Sequence, residues 1–123
     1  MDVDALRELV AVYDRPVEGS RLAVLDAIRE HGGEEAALEL AGSSDAGERW
    51  LAARLMHLLR DPRYTAALEP LVEDPDAETA RTARNAFGAQ SRTDEWEAIA
   101  ERLTRARDPE LTVRARAWLA GEP

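Results

Sequence analysis

The feature that most constrains this chain is its punctuation. Proline and glycine mark boundaries at Arg15-Pro16, Gly32-Gly33, Gly42, Asp61-Pro62, Asp74-Pro75, Gly88, Asp108-Pro109 and Gly121, and the segments between them run 10 to 16 residues. Asp-Pro starts a helix, because the Asp side chain caps free N–H groups while Pro sits harmlessly at the first helical position. Gly after an apolar run stops one, because it accepts the left-handed conformation. Asp45-Ala46-Gly47-Glu48 reads as a variant capping box with Asp in the capping position.

Between these marks the apolar residues recur at helical spacing: Val3, Leu6, Leu9, Val10 and Tyr13; Leu22, Leu25 and Ile28; Leu51, Leu55, Leu58 and Leu59; Tyr64, Leu68, Leu71 and Val72; Ala83, Ala86 and Phe87; Trp96, Ile99, Ala100 and Leu103. No alternating β-branched run suggests a strand. The spacing predicts an all-α chain of eight helices near 2–13, 17–31, 34–41, 45–60, 63–73, 75–88, 94–106 and 109–120. Pro70 is expected to bend the fifth or shift its boundary.

Taken in pairs, the helices expose a repeat. Second helices start near Arg15-Pro16, Asp45, Asp74-Pro75 and Asp108-Pro109, about 30 residues apart, an interval that suits a compact helical hairpin. The tetratricopeptide pattern is absent. Four hairpins account for residues 1–123 as a single repeat domain, a short solenoid.

Two stretches carry a family resemblance. Asp74-Pro-Asp-Ala-Glu-Thr-Ala-Arg-Thr-Ala-Arg-Asn-Ala-Phe-Gly88 resembles the second half of a HEAT-like repeat of the type found in phycobilisome lyases, usually Asp-Pro-Asp-x-x-Val-Arg-x-x-Ala-x-x-Ala-Leu-Gly. Asp108-Pro-Glu-Leu-Thr-Val-Arg-Ala-Arg-Ala-Trp-Leu-Ala-Gly121 is similar, one residue shorter, and keeps Val113-Arg114. Thr79 and Ala80 depart from the usual Val and Arg, and the first two hairpins match only in helix pattern and apolar spacing. The resemblance implies a right-handed α-solenoid of about four HEAT-like hairpins whose second helices line the concave side. It places Arg114 where such repeats usually brace a neighbouring turn.

Composition narrows the function. A net charge of −9, from 16 basic and 25 acidic groups, disfavours a phosphate-backbone binder, so no nucleic acid is expected. No stretch approaches the roughly 20 apolar residues of a membrane span, and Met1-Asp2-Val3-Asp4 lacks an apolar signal region, so no membrane and a cytoplasmic location are expected. Cysteine is absent, which removes disulfides, thiolate metal sites and cysteine nucleophiles. Every basic residue is arginine, a pattern that a GC-rich genome also produces.

Catalytic candidates are few. The chain has two histidines and no lysine to serve an activated nucleophile. His31 suits a last helical turn, and His57 has no His or Glu four residues on to form a metal pair. Ser43-Ser44 reads as a turn and cap. Glu34-Glu35 and Asp94-Glu95 open helices, where negative charge complements the dipole, and Glu97 and Glu101 belong to a solvated face. No cofactor and no metal are expected.

The charge is divided between the helix sets. First helices of the pairs sum to −7 and second helices to +1, so the resemblance implies an acidic convex layer and a near-neutral, arginine-bearing concave one. Such surfaces hold extended or helical segments of other proteins. Helical phase sets Arg81, Asn85 and Glu78 opposite the core positions Ala83 and Phe87. It exposes Arg49 and puts Trp50 at the boundary of Leu51 and Leu55. On the eighth helix Val113-Ala117 and Leu111-Ala115-Trp118 form competing apolar faces, which leaves Trp118 as either core or contact residue; Trp96 belongs to the core. The expected partner-binding residues are therefore Arg49, Trp50, Arg81, Asn85, Arg114 and Trp118.

The favoured function is a non-catalytic adaptor that receives an acidic or amphipathic segment of a protein partner. The alternative is an enzyme or enzyme accessory like HEAT-like lyases or DNA glycosylases, against which length and charge weigh. Self-association through end helices carrying Val10, Ala11, Val12, Trp118 and Leu119 is compatible with the adaptor reading.

Overall fold

The computed structural model describes residues 1–15 and 21–122, all of whose regular structure is helical. Eight helices follow in order: α1 (Val3–Asp14), α2 (Arg21–Glu30), α3 (Gly33–Leu40), α4 (Ala46–Leu59), α5 (Tyr64–Leu71), α6 (Ala77–Ala89), α7 (Asp94–Leu103) and α8 (Pro109–Leu119). The expected start of the second helix, near residue 17, lies outside the described residues. No helix among them is long and apolar enough to cross a membrane.

The starts are chemically marked, but not always where the punctuation implies: the Asp61-Pro62 step leaves α5 without a side-chain cap, and α6 is capped by Asp76 rather than Asp74. Side chains of Asp2, Asp45, Asp76, Thr93 and Asp108 each accept a backbone N–H from the first turn of the helix they open. The Asp45 box is not reciprocal. Asp45 accepts from the Glu48 N–H at 3.0 Å, but its own N–H donates to Ser43 Oγ at 3.1 Å, and the Ser43 hydroxyl donates to Glu48 Oε1 at 2.7 Å. Ser43 is a relay because the Glu48 carboxylate sits one hydroxyl away from the cap. At the other ends, α5 stops one residue after Pro70, short of the expected 73; the Val72 N–H still bonds the Leu68 carbonyl at 3.0 Å, and the next two N–H groups, of Glu73 and Asp74, reach only three residues back. His31 donates from Nδ1 to the Ala27 carbonyl at 2.8 Å, a second bond to an oxygen that already accepts the His31 backbone N–H at 3.0 Å at the end of α2. Gly33 is required by contact: a Cβ there would stand 2.5 Å from Ile28 Cγ2 and 2.7 Å from the Ile28 carbonyl oxygen.

Consecutive helices pack as pairs, α1 with α2, α3 with α4, α5 with α6 and α7 with α8; α4 also packs broadly on α6, and α5 on α7. One core runs through them, from Leu6 and Val10 through Leu51, Leu55 and Met56 to Leu68 and Phe87. It ends in an aromatic cluster. Phe87 stacks on Trp96 at 5.2 Å and 15°, and Trp118 closes on both rings at 5.3 and 6.5 Å. Trp96 Nε1 donates to the Phe87 carbonyl at 2.9 Å, so the indole is buried without an unpaired N–H. The ambiguity on α8 is resolved: Leu111, Ala115 and Trp118 face inward, while Val113 is 64% exposed.

Arginines tie these pairs together. Arg63, ahead of α5, donates to Glu35 on α3 at 2.8 Å, and Arg102 on α7 grips both oxygens of Glu69 on α5 at 2.8 Å. Arg49 on α4 reaches Asp74 before α6, and Arg84 on α6 reaches Asp108 before α8. The planar guanidinium suits such work, since it bonds a carboxylate through two parallel N–H groups. With Arg29 on Glu34 and Arg54 on Asp14, six of the 16 arginines thus reach carboxylates between pairs.

Candidate interaction surface

The six residues expected to contact a partner come from α4, α6 and α8, and the structure treats them differently. Arg81 and Arg114 line one cleft of about 570 Å3, with Ala77, Ala80, Arg84 and Glu110. Arg81 is exposed and pairs with Glu78 one turn back, at 2.7 and 2.9 Å, a contact weak enough in water to be exchanged for a partner. Arg114 donates from Nη2 to Asn85 Oδ1, linking α8 to α6, and its guanidinium carbon lies 5.4 Å over the Trp118 ring. Burial, and then the positive charge of Arg84, hold the Arg114 pKa below the ordinary arginine value. Trp50 is half-buried beside Ala46, Gly47, Asp76 and Glu78 in an adjoining shallow depression of about 370 Å3. The surface therefore alternates: an indole shelf edged by two carboxylates, then the Glu78–Arg81 pair, then the Arg81–Arg114 cleft.

Two expectations need correction. Arg49 is not an exposed ridge residue. Its side chain is 17% exposed and that of Asp74 5%. Nε and Nη2 donate to Asp74 at 2.8 and 3.2 Å, and Nη1 donates to the Ser43 carbonyl at 3.0 Å. The paired carboxylate raises the Arg49 pKa, and the guanidinium in turn lowers that of Asp74. Helical phase placed Arg49 away from Leu51 and Leu55 but could not see the next turn folding over it. Trp118 is the second. At 2% exposure it lies under Arg114 in the aromatic cluster and offers no ring to a partner.

Arg84 was not singled out from the sequence, yet it organises this region. It donates from Nε to the Val72 carbonyl at the end of α5 and from Nη2 to Asp108 at 2.8 Å, which lowers the Asp108 pKa. A signal existed. Ala80 stands where the repeat pattern carries Arg, and Arg84, four residues later, shares its helix face. Thr79, the other departure, is fully buried, its N–H and hydroxyl both donating to Asp76 Oδ2 at 3.0 and 2.7 Å.

Beyond the Arg84–Asp108 pair lies a cleft of about 590 Å3, lined by Glu69, Glu73, Arg102, Arg105 and Arg107 among others. Its carboxylates and guanidiniums nearly balance. Among the described residues no group of three His, Cys, Asp or Glu side chains is arranged to hold a metal ion. No protein-family model matches the chain, and no curated protein or solved structure matches it.

Proposed function

We propose that the chain is a HEAT-like interaction adaptor, a short right-handed α-solenoid of about four hairpins that holds a segment of a partner protein on the layer formed by α4, α6 and α8. The observation that carries this reading is the half-buried Trp50 next to the exposed Arg81 and the Arg81–Arg114 cleft. Interfaces are anchored by Trp and Arg set among polar neighbours. The stacking of α4 on α6 and α5 on α7, with an arginine brace between pairs, supports the solenoid. The acidic first helices and near-neutral second helices favour the α4–α6–α8 layer for an acidic or amphipathic segment, whose apolar side would cover Trp50 and whose carboxylates would replace Glu78 on Arg81.

Co-purification of the tagged protein from its native cell, compared with a Trp50→Ala/Arg81→Glu variant, tests the reading. Trp50 packs half-buried against the edge of the core and Arg81 is exposed, so circular dichroism first establishes that the variant is folded; it is then expected to lose a partner that mass spectrometry identifies in the wild-type eluate. Equal recovery of every partner by both proteins would sink the proposed face.

A further inference from the structure

A different concavity, of about 510 Å3, lies at the opposite end of α4 from Trp50 and is independent of the adaptor surface. Its described lining is Tyr13 from α1, Arg21 at the start of α2, and Arg54, His57, Leu58 and Arg60 from the last turns of α4. In a chain of net charge −9, none of these lining residues is a carboxylate. One acid meets the lining among the described residues: Asp14 accepts from Arg54 Nε and Nη2. Arg21 lies 5.2 Å over the Tyr13 ring, and neither it nor Arg60 meets a carboxylate among the described residues. Among the described residues, three guanidiniums thus face one carboxylate. The negative end of the α4 dipole offsets only about half a charge, so the hollow stays cationic.

Two further features point the same way. Arg60 holds φ 54° and ψ 35°, in the left-handed region, and is the only described non-glycine residue with positive φ. A helix C-terminus of this shape favours glycine, and side chains kept there against strain cluster at functional sites. His57 is the second. Arg54 Nη1 lies 3.4 Å from His57 Nδ1 and can only donate, so the proton of the neutral ring falls on Nε2. Burial, Arg54 and Arg60 all favour that neutral form.

We propose that this hollow is an anion site for a phosphate dianion, either the free ion or a phosphate monoester on a partner's side chain. Two guanidiniums that meet no carboxylate among the described residues match its charge. The tetrahedral set of acceptor oxygens can take N–H groups from Arg21 and Arg60 together with His57 Nε2–H or the Tyr13 hydroxyl, where a planar carboxylate has fewer acceptors to offer.

The test is an NMR titration at about pH 8 and constant ionic strength, where phosphate is a dianion, following the ring protons of His57 and His31. The probes are inorganic phosphate and a short peptide with one phosphoserine, beside its unphosphorylated counterpart. Saturable displacement of the His57 resonances, with His31 unmoved, is expected. Tighter binding of the phosphopeptide than of the inorganic ion assigns the partner side chain as the source, and equal or weaker binding assigns the free ion. Arg60→Gly is expected to weaken binding about tenfold, the loss of one charge-assisted contact, with a Tm no lower than wild type. No saturation by either phosphate probe, equal binding of the unphosphorylated peptide, or an Arg60→Gly protein that titrates like wild type would overturn the site.

Discussion

Arg49 and Asp74 form a two-pronged ion pair between α4 and the turn ahead of α6, with N–O distances of 2.8 and 3.2 Å. Asp74 is also held from its own side, accepting the Asp76 N–H at 2.9 Å. The carboxylate therefore shapes the turn that caps α6 as well as joining two helix pairs. Asp74→Asn is expected to lower the Tm by several degrees, and Arg49→Met to do the same. The double variant is expected to lose less than the sum, because each single change strands the other group in a largely enclosed position. Thermal unfolding of the four proteins in a double-mutant cycle measures this. Strict additivity would mean that the pair contributes nothing as a pair.

Gly88 owes its place to Trp118. A Cβ at residue 88 would stand 2.7 Å from Trp118 Nε1 and 3.1 Å from Cε2. Ala is a better helix former than Gly by roughly 1 kcal/mol, so propensity alone argues for stabilisation by Gly88→Ala. The contact argues the opposite, because forcing an atom into a packed aromatic cluster costs roughly 1–3 kcal/mol. Gly88→Ala is expected to be net destabilising in urea unfolding. In a Trp118→Ala background, where the indole is removed altogether, the same substitution is expected to cost less.

These two relationships show where sequence reasoning succeeds and where it stops. The helices were legible because their signals are local: Asp45 and Asp108 cap the turns that follow them, and apolar spacing set Leu51, Leu55, Ala83 and Phe87 inside. The surface was legible in part, since phase exposed Arg81 and Asn85 correctly. Arg49 was not, because its partner Asp74 lies 25 positions away along the chain, and Trp118 stayed open between core and contact, since its neighbour Gly88 lies 30 positions away. The hollow around His57 was hidden for the same reason. Tyr13, Arg21 and Arg60 belong to three helices, and no spacing rule brings them together.

Arg60 offers a prediction about stability that is separate from binding. Its left-handed backbone, φ 54°, ends α4, and its N–H bonds the Met56 carbonyl at 3.0 Å. A residue with a Cβ pays about 1 kcal/mol in this conformation. Arg60→Gly keeps the backbone N–H and relieves that cost, and no described carboxylate loses a partner. Chemical denaturation is expected to show a gain approaching 1 kcal/mol with an unchanged m-value, whereas Arg60→Val is expected to lose stability, since a β-branched side chain fits this region worst. A destabilised glycine variant would contradict the strain argument.

The pH dependence of stability separates His57 from the carboxylates. The Arg63 side chain lowers the pKa of Asp61, Arg102 that of Glu69, Arg49 that of Asp74 and Arg84 that of Asp108. Groups with depressed folded pKa values contribute stability above their unfolded values, near 4, and lose it as pH falls through the folded ones. His57 also has a lowered pKa, but from burial first and then from Arg54 and Arg60. The unfolded chain therefore binds a proton at this position that the folded chain refuses, and stability falls as pH drops below the ordinary histidine value, about 6.5. Two limbs are expected in a plot of unfolding free energy against pH, a shallow one below about pH 6.5 and a steep one below about pH 4. His57→Gln is expected to abolish the shallow limb and leave the steep one. A variant that retains both limbs would show that His57 titrates in the folded protein as it does in the unfolded chain.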